Sequence, residues 1–213
     1  MTYRQSIWGH ANGVTVFALG TFFWCTLGLG MGVRLIAPTA WLGVLMPVLS
    51  IGNLAACVTL LVIGVRLRRR ARGFRLAEAR SGDPHIRQET RGLIRGLRQV
   101  VIAEAVAIAL IGFLCYRTGR APWPWIGLAL ALHFVPFAPL FRIPLYFVTG
   151  AVATLVALVA LVMPDGPAQT LVLGYGMGAT MCVSGLWLGL TAERTSQRVS
   201  EAPTSAGAVS ALR

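Results

Sequence analysis

Lysine is absent from this 213-residue chain, and aspartate occurs only as Asp83 and Asp165. Charged residues of both signs make up 12% of the sequence, against roughly a quarter in a typical soluble domain. That shortage, beside a hydrophobic fraction of 56%, excludes an ordinary water-soluble globule. The four cysteines, Cys25, Cys57, Cys115 and Cys182, form no CxxC pair and sit in no His/Cys spacing suited to a metal. A disulfide framework and a zinc site are therefore not expected, and the thiols read as small apolar packing groups. There is no HExxH and no GxSxG, and neither aspartate lies in an apolar run. Zinc proteases, serine hydrolases with a nucleophile elbow and paired intramembrane aspartates drop out. No catalytic residue, cofactor or metal is expected, and an intramembrane enzyme ranks last among the functional classes.

Arginine and long apolar runs are what remain. All 19 basic residues are arginine, and the net charge is +12. Arginine without lysine, alongside abundant Ala, Gly, Leu and Val, points to a GC-rich bacterial genome. Six apolar segments each approach the roughly 20 residues that a helix needs to cross the hydrocarbon core. They run over 13–33, 41–65, 99–116, 123–141, 144–163 and 168–192. The prediction is an all-α, polytopic membrane bundle of six spans over residues 1–194, followed by a disordered cytoplasmic tail over 195–213. Prolines 136, 139 and 144 support a tight break between the fourth and fifth segments around Arg142. Five spans with one re-entrant segment is the rival. The first segment is longer than a signal-peptide core and lacks a small-x-small cleavage site, so it should stay as an anchor.

Eleven of the arginines fall between Arg66 and Arg98. Arginine-rich loops stay on the cytoplasmic side. Six spans then place both termini, the basic loop and Arg142 in the cytoplasm of a plasma (inner) membrane protein, with Arg34, Arg117, Arg120 and Asp165 outside. Trp41, Tyr116, Trp123 and Trp125 gather at the outer boundary, where amphipathic rings favour the headgroup level. Within the loop, the second helix should run on through Arg66, Arg68, Arg69, Arg70 and Arg72. Gly82-Asp83-Pro84 reads as a turn, with Asp83 as N-cap and Pro84 at the first helical position. From there Arg87, Arg91, Arg95 and Arg98 share one helical face, opposite Ile86, Leu93 and Leu97. This is the pattern of a helix lying in the interface and completing an Arg-rich helical hairpin. Arg68, Arg69, Arg70, Arg87, Arg91, Arg95 and Arg98 are candidates for contact with anionic headgroups. The plainer account is topogenic charge. Nucleic acid is not an expected partner, since Phe74 is the loop's one aromatic residue and no recognition module is present.

Two ionisable residues fall inside the spans. At about 1.5 Å per residue, Glu104 lies roughly 9 Å in from Arg98 and His133 roughly 13 Å in from Arg142. Both occupy the cytoplasmic half of consecutive antiparallel helices, so they can meet, or Arg142 can reach Glu104. A charge facing lipid is expensive, so Glu104 should face the interior. Either the pair serves a proton-sensitive path or it ties two helices together. Asn53 and Asn12 are lesser polar candidates.

Gly28 and Gly32 in the first span, with Gly174, Gly178, Gly185 and Gly189 in the last, have small-xxx-small spacing. They predict close packing of those two helices, on each other or across a homo-oligomer. Gly174-Tyr175-Gly176 lacks the span after it that a potassium filter requires. A partial self-match of Leu27–Leu45 with Leu173–Thr191 aligns a loop with a span, so it does not indicate an inverted repeat.

The stretch from His133 to Tyr146, HFVPFAPLFRIPLY, resembles a segment of small bacterial multi-pass membrane proteins that carry an HFxPxAxxFRxPxY-like pattern. The resemblance implies membrane location and no particular chemistry. Two functions follow from the residues themselves. One is a membrane-embedded interaction or structural subunit, with a membrane protein or a second copy as partner. The other is a small solute or proton-coupled transporter using Glu104 and His133 at a cytoplasm-facing cavity.

Overall fold

The computed structural model describes residues 3–33, 39–71 and 84–201. They form helices α1 (Tyr3–Leu27), α2 (Thr39–Arg70), α3 (Pro84–Thr118), α4 (Trp123–Leu132), α5 (Phe134–Phe141), α6 (Leu145–Val162) and α7 (Pro167–Glu201). A π-helical turn, Gly28–Val33, extends α1. With α4 and α5 forming one broken segment, six helical stretches are long and apolar enough to cross a membrane. The described residues contain no strand.

The core lies between α1, α2, the broken α4–α5 segment, α6 and α7. Along α1, Ile7, Ala11, Val14, Phe17, Ala18 and Trp24 are buried at spacings that keep one stripe facing inward. That stripe begins in the first turns of α1, ahead of the expected start at Gly13. Ser6, His10 and Asn12 lower the apolar character there without breaking the helix, because Ser6 and His10 are themselves buried. The α1–α7 crossing is built on glycine. A Cβ on Gly174 would stand 2.6 Å from Gly28 Cα and 2.7 Å from Trp24 O, too close for any side chain. Gly178 lies on Cys25. Gly185 and Gly189 pack on Leu60 and Ile63 of α2, so the last helix uses its glycines against two neighbours. The packing of Gly32 lies outside the described residues.

Helix α3 is different. Only 6% of its most apolar window is buried, against 44% for α7. Its helix partners are chiefly α4 and α5. A Cβ on Gly96 would be 2.7 Å from Leu140 Cδ1, which marks a close approach of α3 to α5.

Three expectations change. The stretch from Pro84 does not form a separate interfacial helix, because α3 runs unbroken for 35 residues. Its amphipathic part gives way near Arg98 to a mainly apolar stretch, and no proline interrupts the backbone there. Pro84 does open the helix, whereas Asp83 and Arg72 lie outside the described residues. The tail is helical to Glu201, so it does not lose structure at Thr195. Within the fourth segment the helix also breaks at His133. Pro136 has no N–H for the Leu132 carbonyl, and its ring crowds that carbonyl.

The turn after α5 is built on Arg142, the one non-glycine residue with positive φ (54°) among the described residues. The Arg142 N–H donates to Ala138 O, and the Ile143 N–H donates to the same carbonyl at 3.1 Å. Ile143 is buried beneath the turn. This is a Schellman-type helix end, with arginine where glycine is usual.

Candidate functional site

Where α3 leaves α5 it does not close onto α1, and a cavity of about 390 Å³ remains between them. Asn12, Val16, Leu19, Gly20 and Phe23 form one wall, spaced along a single face of α1. Leu97, Val101 and Glu104 form the opposite wall on α3, and His133, Phe134, Phe137 and Phe141 the floor. From Asn12 to Phe23 the groove follows α1 for about 16 Å, half the thickness of a hydrocarbon core of about 30 Å. It opens sideways between α1 and α3, where Val16, Leu19 and Val101 are 41%, 58% and 50% exposed.

The floor is aromatic and rigid. Tyr146 is buried among Phe17, Phe134, Phe137 and Phe141, with ring centroids 5.9–6.3 Å away. Its hydroxyl donates to Gly9 O at 3.3 Å. The absence of a side chain on Gly13 leaves room for that hydroxyl.

Two polar groups meet inside the groove. His133 Nδ1 lies 3.6 Å from Glu104 Oε1, and their side chains are 8% and 19% exposed. That separation exceeds a good hydrogen bond, and Nδ1 is buried with no hydrogen-bond partner. The helix break aims the ring: His133 caps both α4 and α5 and rests on Phe134 and Phe137, with centroids at 4.3 and 5.0 Å. At the basic end of the groove, Arg68 Nη2 donates to Asn12 Oδ1 at 3.4 Å, while Asn12 Nδ2 is buried and unpartnered.

Among the four expected polar-site residues, the fold brings together Glu104 and His133. Arg142 does not reach Glu104. It pairs instead with Glu89 at 3.5 Å, because the left-handed turn carries its side chain out along the extended end of α3. Asn53 faces α1 from α2, donating to Thr26 Oγ1 at 3.3 Å and Phe22 O at 3.5 Å, an interhelical tie outside the groove. Among the arginines, Arg70 pairs with Glu193. Arg69, Arg87, Arg91, Arg95 and Arg98 are exposed. Arg87, Arg91 and Arg95, with Pro84, Gln88 and Gly92, border an open depression on the arm of α3.

Sequence reasoning missed Tyr146, Asn12 as a groove residue, and His10. The signal was present, since Asn12, Val16, Leu19 and Phe23 repeat at helical steps along one face. His10 is 1% exposed with Nδ1 2.8 Å from Ser6 O, a satisfied core histidine outside the groove. No three-residue cluster of His, Cys, Asp and Glu suited to a metal occurs among the described residues. No protein-family model, curated protein or solved structure matches the chain.

Proposed function

We propose that this chain is a small multi-pass carrier of the plasma membrane that takes an amphiphilic small molecule from the bilayer into the groove between α1 and α3. One observation carries the reading: an apolar, aromatic-floored cavity of about 390 Å³ reaches the Glu104 carboxylate and the His133 imidazole, whose Nδ1 is buried without a good hydrogen bond. Ligand sites are mostly apolar cavities of roughly 300–1,000 Å³ with a few convergent polar groups. Intramembrane ionisable groups mark such paths. The lateral opening favours a ligand dissolved in lipid over one arriving from water. In this reading the arginine-bearing end faces the cytoplasm together with both termini, and the exposed arginines of α2 and α3 rest against anionic headgroups.

Titration of the detergent-purified protein with the neutral dye Nile red, over an empty-micelle blank, tests the groove. Saturable binding is expected in the wild type and at least tenfold weaker binding in Val101→Trp, whose indole fills the groove from an exposed position. Equal binding by both, at equal melting temperature, would sink the reading. The thin packing of α3 also favours a second role, an interaction subunit whose α3 receives another membrane helix.

A further inference from the structure

Resting on that reading, we infer that the groove is built for an organic cation. Glu104 has no fixed counter-ion among the described residues. No arginine pairs with it among the described residues: Arg142 is with Glu89, Arg70 with Glu193 and Arg68 with Asn12, and Arg95 and Arg98 are exposed. His133, at 3.6 Å, supplies a positive charge only when protonated. A carboxylate within a membrane span is costly unless something neutralises it. A proton does so when the groove is empty, and a cationic ligand does so when it is filled.

The surrounding rings suit that ligand. Phe23, Trp24, Phe134, Phe137 and Phe141 line the cavity, and aromatic faces attract cations most strongly where water is excluded. An anion would meet Glu104 as a like charge. A neutral amphiphile would leave the carboxylate without a partner. The arginines at one end of the bundle repel a cation from the aqueous side there, which agrees with entry through the lateral gap past Val16, Leu19 and Val101.

The groove's other titratable groups are few. Of the side chains lining the groove with Glu104, only His133 at the α4–α5 break and Tyr146 of α6 can titrate, while α1 and α7 contribute the non-titrating polar or soft groups Asn12 and Met181. Protons and cation therefore compete at Glu104, and protonation of His133 adds a second positive charge beside the ligand. Cation binding weakens as pH falls.

Methyltriphenylphosphonium and triphenylphosphine oxide make the test, since they share a shape and differ in charge. Equilibrium dialysis with the detergent-purified full chain should show the phosphonium binding at least ten times tighter than the oxide. The phosphonium should weaken at least tenfold in Glu104→Gln, while the oxide stays within about twofold. In the wild type alone, phosphonium affinity should fall severalfold on acidification and oxide affinity should hold, so the result survives a variant that fails to fold. Equal affinities for the two probes, or no phosphonium binding, would overturn the cation assignment. Loss of Nile red binding in Val101→Trp would still uphold the groove in that case, which separates the two failures.

Discussion

Arg142 holds a backbone conformation that costs an L-residue about 1–2 kcal/mol and that glycine adopts freely. What the arginine gains in return is its contact with Glu89, an ion pair whose arginine is 64% exposed. Exposed pairs contribute about 0–1 kcal/mol. The strain therefore outweighs the ion pair. Arg142→Gly should raise the melting temperature in detergent or leave it unchanged, and Arg142→Ala should lower it, with about 1 kcal/mol between the two variants. Equal melting of the Gly and Ala variants would show that the turn is not strained. The prolines around Arg142 announce a break, but nothing in the sequence announces the Glu89 partner. Glu89 becomes available only because α3 continues beyond its apolar part. A membrane helix that began at Gln99 would leave Arg142 only Glu104 to meet.

At the level of helices, glycine has two opposite meanings. Gly174 sits where backbone meets backbone, at Gly28 and Trp24, and neither side can yield. Gly174→Ala should lose about 1–3 kcal/mol or more through overpacking. Gly112 in α3 faces open space, and a methyl group there would meet nothing within 4 Å. Gly112→Ala should gain up to about 1 kcal/mol from helix propensity. Chemical or thermal unfolding of both variants in one detergent decides this, and matching shifts would contradict the packing described. The six apolar segments were legible because each is long and bounded by charge or proline. Their ends were not, for three physical reasons. Buried polar residues masked the start of α1, a switch from amphipathic to apolar sequence imitated a helix end at Arg98, and a serine- and threonine-bearing stretch remained helical to Glu201. Glu104 and His133 could be matched from sequence by counting depth from flanking arginines. The groove could not, since a gap between α1 and α3 depends on where α3 docks.

For the molecule as a whole, the ion pair Arg70–Glu193 joins the end of α2 to α7, and Arg142–Glu89 joins the end of α5 to the start of α3. Orientation then becomes a single binary question. With Cys25, Cys57, Cys115 and Cys182 replaced, a cysteine at Gln88 should react with a membrane-impermeant maleimide in inverted vesicles and stay unmodified in intact spheroplasts. A cysteine at Arg120 should show the reverse pattern. Labelling of Gln88→Cys from outside would invert the proposed topology and leave the fold untouched.

The length of α3 has a mechanical corollary. From Glu104 back to Pro84 the helix is a stiff rod of about 30 Å, held chiefly by α4 and α5. Rocking that rod by about 10° around the carboxylate would swing its far tip by about 5 Å. Molecular-scale occupancy of the groove would thus be magnified into a displacement at the tip of α3, as a pointer magnifies the small deflection of a balance.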